Sequence, residues 1–262
     1  MTGLLRAAHP GPTVAVVVLA VLLGLSDGLG PGRVALVAAA VLAGQLSIGW
    51  SNDLIDERRD RVVGRADKPL AAGEVSTRVV RSCCALAVVA VVPLSLACGW
   101  AAGVVHLASV GAGWLYNAGL KSTVWSWAPY AVAFGGLVVF VSLAASPPEL
   151  PPWWMPAAGA LLGVGAHLLI VLPDLGDDEA TGVRGLPHRL GARRLPVVAT
   201  AVLVAGSLVV LTGARLGVAW SVTGLVLVAA LAVLALTRPG RAPFLAAIGI
   251  ALTDVVLLLA AG

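Results

Sequence analysis

The chain has 262 residues, of which 59% are hydrophobic and only 11% charged, with a mean hydropathy of +0.98 and a formal net charge of +4 at pH 7. Soluble domains carry roughly 25% charged and 45–50% apolar residues, so a water-soluble globule, a disordered chain and a fibrous repeat are all excluded. The apolar runs are continuous rather than alternating, which predicts an all-α polytopic membrane bundle and disfavours a β-barrel. Cys83, Cys84 and Cys98 share one apolar stretch and show neither a disulfide framework nor a zinc spacing. The basic residues are strung along short loops, which argues against nucleic acid as a partner.

Runs of about 20 apolar residues predict nine spans, near 12–30, 33–51, 79–99, 101–118, 127–145, 153–172, 195–213, 217–236 and 242–261. Arg6 ahead of the stretch from Val14 to Leu25 has the look of a secretory leader, but no small-x-small cleavage site follows, so the first span is expected to be retained. Turn formers punctuate several joints: Gly30-Pro31-Gly32, Ser146-Pro147-Pro148 and Pro239-Gly240. The eight Trp, at positions 50, 100, 114, 125, 127, 153, 154 and 220, mostly fall near predicted span ends, as an interfacial belt would. Two longer polar connections, 52–78 and 173–194, hold 10 of the 13 acidic residues.

With a cytoplasmic N-terminus, the inside segments collect Arg6; Arg58, Arg59, Arg61, Arg65, Lys68, Arg78 and Arg81; Lys121; Arg184, Arg189, Arg193 and Arg194; and Arg238 and Arg241. That is 15 of the 17 basic residues, leaving only Arg33 and Arg215 outside, a bias that supports the orientation by the positive-inside rule. The whole of 1–262 reads as one membrane domain, and its Ala- and Gly-rich, Lys-poor composition suits a bacterial cell membrane.

The acidic clusters carry the chemistry. The first is Asn52-Asp53-Leu54-Ile55-Asp56-Glu57-Arg58-Arg59-Asp60; if the second helix continues through it, Asp53, Asp56 and Asp60 share one face. The second is Asp174-Leu175-Gly176-Asp177-Asp178-Glu179, with Asp174 and Asp178 four residues apart. Four spans separate the clusters, so both are expected to emerge on the cytoplasmic side and to face each other across a bundle. Like charges on one stripe repel unless a cation lies between them, and carboxylates at a membrane surface suit Mg2+, which binds through one or two carboxylates plus substrate phosphate oxygens. Arg65, Lys68, Lys121 and Arg184 are placed to hold phosphate directly.

These motifs resemble those of the UbiA superfamily of intramembrane prenyltransferases. The superfamily's N-D-x-x-D-x-x-x-D pattern is matched by Asn52, Asp53, Asp56 and Asp60, and its basic-Pro-Leu-x-x-Gly element by Lys68-Pro69-Leu70-Ala71-Ala72-Gly73. Tyr116, Leu120 and Lys121 match a Tyr-x-x-x-Leu-Lys element, and Asp174 and Asp178 match the second Asp motif, with Gly182, Leu186 and Pro187 downstream. The chain departs from the pattern at Asp177, where Gly is frequent, at Glu179, at Gly185, where many relatives have Thr, and at His188.

The resemblance implies nine helices, with the Asp motifs after helices 2 and 6, and Mg2+-dependent transfer of an isoprenyl group from its diphosphate to an unidentified acceptor within the bilayer. It implies that Asp53, Asp56 and Asp60 hold one Mg2+ and Asp174 and Asp178 another, with Asp177 a further candidate ligand. Asn52 would assist, and Arg65, Lys68, Lys121, Arg184 and Tyr116 would take the diphosphate. Asn117 and His167 are candidates to line the pocket, whereas His106 and Gln45 are expected to make helix–helix hydrogen bonds, and Asp254 has no evident partner. A terpene cyclase using the same ionisation is the nearest alternative, and a secondary transporter is the alternative from another class. Nine spans put the C-terminus outside, so a reporter fused after Gly262 should be active only if it functions on the non-cytoplasmic side.

Overall fold

The computed structural model describes residues 2–180, 182–238 and 242–261, apart from the side chains of Asp177, Phe244 and residues 258–261. The expected turn at Pro239-Gly240 and Arg241 therefore lie outside the described residues. In chain order the helices are α1 (Thr2–Arg6), α2 (Pro10–Ser26), α3 (Pro31–Val63), α4 (Thr77–Ala97), α5 (Trp100–Ala118), α6 (Ala128–Leu143), α7 (Trp154–Ile170), α8 (Leu175–Ala180), α9 (Leu186–Gly213), α10 (Val218–Thr237) and α11 (Ala242–Ala261). Among the described residues there is no β-strand.

Each apolar segment of the sequence falls on a helix, and among the described residues five helices are long and apolar enough to cross a membrane: α3, α4, α7 with the turn that follows it, α9 and α10. Their outward faces carry large apolar side chains such as Leu86, Val89, Val218 and Val226, all well exposed. Water would penalise such a surface, and lipid would not.

The main difference from the expected boundaries is α3, which does not stop near residue 51. Pro31 starts it at a position where its missing N–H costs nothing. It then runs for 33 residues, about 50 Å at 1.5 Å per residue, against a hydrocarbon core of about 30 Å. The first acidic cluster thus lies on a helical extension of a span. Gly64, at φ 72°, ends the helix in the left-handed region, and the Arg65 N–H donates to the Asp60 carbonyl at 3.0 Å. Further along, α9 begins at Leu186 rather than near 195 and absorbs the difference at Gly191, where φ is 72° and ψ 160°.

The chain divides into two compact units, one comprising 1–119 and 140–149, the other 120–139 and 150–262. In the first, α3 packs against α2, α4 and α5. The end of this unit that carries the loop after α3 is closed by a cluster of Ala7, Ala8, Trp50, Leu70, Val80, Cys84 and Ala87. In the second, α7 packs on α9, and α10 and α11 pack on each other and on α9. The core of this unit is Leu168, Leu169, Leu195, Ala199, Leu203, Val228, Ala247 and Ile250.

Residues 2–9 are pinned to the first unit. Arg6 donates twice to the Glu74 carboxylate at 2.8 and 2.7 Å, and the Trp50 indole donates to the Leu4 carbonyl at 3.1 Å. Gly49 lets the segment approach, since a Cβ there would lie 2.6 Å from the Ala8 carbonyl oxygen. Gly49→Ala should therefore destabilise the protein by about 1–3 kcal/mol through backbone overlap, read as a lowered melting temperature in detergent or nanodiscs.

Candidate functional site

In the first unit the α3 extension presents its acidic residues inward: Asp53 is 1% exposed, Asp56 5% and Asp60 3%. Buried carboxylates are tolerated only when paired or hydrogen-bonded, and each has partners here. Lys68, carried by the loop after α3, donates to Asp53 Oδ1 at 2.8 Å and to Asn52 Oδ1 at 3.2 Å. His9 Nε2 lies 3.0 Å from the same Asp53 oxygen. Arg59 Nη2 donates to Asp56 Oδ2 at 3.1 Å, while its Nε is 3.6 Å from Asp60 Oδ1.

Asn52 joins these pairs to α5. Its amide nitrogen donates to Asp56 Oδ2 at 3.3 Å and to Asn117 Oδ1 at 3.2 Å. Asn117, 3% exposed, donates in turn to the Ile48 carbonyl at 2.9 Å and to Ser51 Oγ at 2.8 Å. The side chain expected to line a pocket thus uses both ends of its amide on α3. Tyr116 precedes it in the last turn of α5, half-buried.

Arg65 donates through Nε and Nη2 to the two Asp67 oxygens, both at 2.8 Å. That fork holds the Asp67 carboxyl down at about 2. A depressed pKa contributes stability above the ordinary carboxylate value and loses it as pH falls towards 2; the Asp67 side chain is 60% exposed, so solvent screens most of the contribution.

In the second unit the Asp-rich segment is not a continuous helix. Pro173 has no N–H for the α7 ladder, and a 3-10 turn over Leu172–Asp174 intervenes before α8. Asp174 closes that turn and Asp178 sits in α8, both half-buried; the Asp177 side chain lies outside the described residues. Gly182, at φ 84°, turns the chain so that the Val183 N–H donates to the Asp178 carbonyl at 2.8 Å. Arg184 is exposed and Lys121 is half-buried.

The departures at 185 and 188 have local explanations. A Cβ on Gly185 would overlap the Lys121 carbonyl and Ser126 Oγ, so the start of α9 lies directly on the loop that carries Lys121. His188 Nδ1 accepts from the Gly185 N–H at 3.1 Å, which puts its proton on Nε2, 3.5 Å from Asp178 Oδ2. Ser126 Oγ accepts from the Leu186 N–H at 3.1 Å and lies 3.2 Å from His167 Nε2, whose ring stacks on Tyr130 at 4.5 Å between centroids.

Other polar groups in the apolar helices make contacts between helices. His106 Nδ1 is 2.7 Å from Ser95 Oγ and its ring stacks on Phe140, as expected of a helix–helix hydrogen bond. Asp254, for which the sequence offers no partner, accepts from Ser207 Oγ at 3.1 Å. Gln45 is half-buried on α3. His9 was missed by sequence reasoning: it precedes a Pro-Gly-Pro start of α2 and belongs to no motif, and only the fold of the N-terminal segment brings it to Asp53.

The donor set fits a hard divalent cation. Asp53 Oδ2 is buried and has no hydrogen-bond partner among the described residues, and Asp56 and Asp60 follow it on the same helix face. Among the described residues, however, no three His, Cys, Asp or Glu side chains converge on one point. Asp53 faces Lys68, while Asp56 and Asp60 share Arg59, so an ion would be completed by oxygens that a substrate brings.

An α-helical chain with a buried Asn/Asp array on a helix extending from a membrane span, backed by lysine and arginine, defines the class. The UbiA prenyltransferase family model matches residues 13–243, and the chain belongs to that family. Comparison with curated protein sequences gives no match. Among solved structures, a UbiA homologue from Aeropyrum pernix K1 in its apo form superposes with a TM-score of 0.75 at 19% identity, covering 94% of this chain and 98% of the other. A digeranylgeranylglyceryl phosphate synthase structure matches with a TM-score of 0.70 at 16% identity, over 99% and 96% of the two chains. A UbiA homologue from Archaeoglobus fulgidus bound to DMAPP and Mg2+ gives 0.66 at 16% identity, over 97% and 85%.

Replacing Asn117 by Leu should cost about 1–3 kcal/mol, because Ser51, Asn52 and the Ile48 carbonyl each lose a buried partner at once; thermal unfolding in nanodiscs measures it.

Proposed function

We propose that the protein is a Mg2+-dependent prenyltransferase that moves an isoprenyl group from its diphosphate to an acceptor at the cytoplasmic side of the membrane. The reading rests on one observation above the others: in a UbiA-family chain, Asp53 keeps a buried carboxylate oxygen with no hydrogen-bond partner among the described residues, while Lys68 bridges its other oxygen to Asn52. In support, the homologue from Archaeoglobus fulgidus has been solved with DMAPP and Mg2+, and with GPP and Mg2+. Nine of the helices are proposed as membrane spans, with the N-terminus and both acidic segments cytoplasmic, since that orientation places 15 of 17 basic residues inside.

In the first unit Asp53, Asp56 and Asp60, with Asn52, are the residues proposed to hold Mg2+, and in the second Asp174, Asp177 and Asp178. Bound there, the ions supply positive charge against which a diphosphate leaves. Lys68 and Arg65 on the first unit, and Lys121 and Arg184 on the second, are proposed to hold diphosphate oxygens, with Tyr116 as a hydroxyl donor. Arg65 is already ordered as a planar fork by Asp67 and can exchange that carboxylate for phosphate without losing its geometry.

The allylic C–O bond breaks with its electron pair leaving on the diphosphate. The acceptor's lone pair or double bond then forms the new bond to the allylic carbon, and the acceptor releases a proton. Apolar helices around the isoprenyl tail exclude the water that would quench the cation.

Purified protein in nanodiscs, given isoprenyl diphosphates of several lengths with a membrane extract, should release diphosphate with Mg2+ and not with EDTA. The Asp56→Ala, Asp178→Ala double variant should be slower by at least about a hundredfold. A cyclic hydrocarbon or alcohol formed without added acceptor would identify a terpene cyclase instead. No binding or turnover at any chain length would remove diphosphate chemistry and favour transport.

A further inference from the structure

We propose that His9 is a positioning residue of the metal site: it fixes the Asp53 carboxylate so that Oδ2 is the oxygen presented to a divalent cation. The proposal rests on the Mg2+ reading given above. It starts from a torsional problem. The terminal torsion of an Asp side chain is broad and nearly two-fold, so the two oxygens exchange roles easily. Lys68, a compact point charge, holds Oδ1 from one direction at 2.8 Å and leaves rotation about that contact unrestrained. His9 Nε2 reaches the same oxygen from a second direction at 3.0 Å. Two contacts on Oδ1 define the plane of the carboxylate, and Oδ2 remains buried with no hydrogen-bond partner among the described residues.

The imidazole is held by more than this contact. Its backbone sits at φ 52°, ψ 65°, a left-handed conformation that costs a non-glycine residue about 1 kcal/mol or more. The flanking chain holds it there. Arg6 grips Glu74 and donates to the Asp67 carbonyl at 3.2 Å, Ala7 and Ala8 are buried, and the His9 carbonyl accepts from the Thr13 N–H at 3.1 Å. Arg6 binds the loop at Asp67 and Glu74, and Lys68 is part of that loop, so the N-terminal segment and the loop bring both Asp53 partners to α3 together. Lys68 Nζ is also 3.3 Å from His9 Nε2, so both groups converge on the same Asp53 oxygen. The His9 side chain is 37% exposed, so its replacement leaves the core packing untouched.

Outer-shell partners of metal ligands are typically worth 10–100-fold in metal affinity. The test is Mn2+ binding to the full chain in nanodiscs, read from the loss of the free-ion electron paramagnetic resonance signal, with and without inorganic diphosphate. Three proteins are compared: the parent, His9→Leu, which keeps bulk but no donor, and His9→Gln, whose amide reaches the Nε2 position. His9→Leu should weaken Mn2+ binding at least about tenfold with an unchanged melting temperature, and His9→Gln should restore it to within roughly threefold of the parent. Equal Mn2+ affinity in His9→Leu and the parent, or equal losses in the Leu and Gln variants, would overturn the proposal. A parent protein that binds Mn2+ but releases no diphosphate from any isoprenyl substrate would overturn prenyl transfer alone, because the binding comparison still decides the role of His9. A parent that binds no Mn2+ in either condition would overturn both.

Discussion

The Lys68–Asp53 pair is the constraint on which the first unit depends. A carboxylate only 1% exposed is costly without a compensating charge, so the loop after α3 has to fold back along the helix and bring its lysine to the α3 extension. Once Lys68 is seated, its remaining donor capacity reaches Asn52, Asn52 reaches Asp56 and Asn117, and Asn117 ties α5 to the carbonyl of Ile48. Removing the lysine would leave the buried Asp53 carboxylate with the His9 imidazole alone and take away the donor that reaches Asn52.

The same loop explains why the N-terminal segment belongs to the site. Glu74 and the Asp67 carbonyl receive Arg6, while Leu70 packs with Ala7, Ala8 and Trp50. Gly49 removes the one side chain that would hold the segment off α3. Hydrophobic contact and a two-pronged ion pair thus bring His9 to a carboxylate 44 residues away in sequence.

In the second unit a serine plays the organising part. Ser126 is fully buried and stands between the Leu186 backbone at the start of α9 and His167 on α7. Gly185 permits this by bringing the backbone against the Lys121 carbonyl, a closeness that threonine would prevent. With no side chain at 185, the cap of α9 falls to His188, whose other nitrogen faces Asp178. Two departures from the family pattern are therefore parts of one local arrangement.

The sequence by itself determined the all-helical membrane character, the approximate position of each helix and the family, because hydropathy over about 20 residues and short ordered motifs are local properties. It also carried the stripe of Asp53, Asp56 and Asp60, since helical period alone places them on one face. It did not carry the end of α3 at Val63, where the hydropathy falls well before the backbone hydrogen bonding does. Nor did it carry the partners: that Asn117 serves α3, that Asp254 meets Ser207, or that His9 meets Asp53. Those depend on where the chain returns after tens of residues, and only tertiary packing decides which donor reaches a buried acceptor.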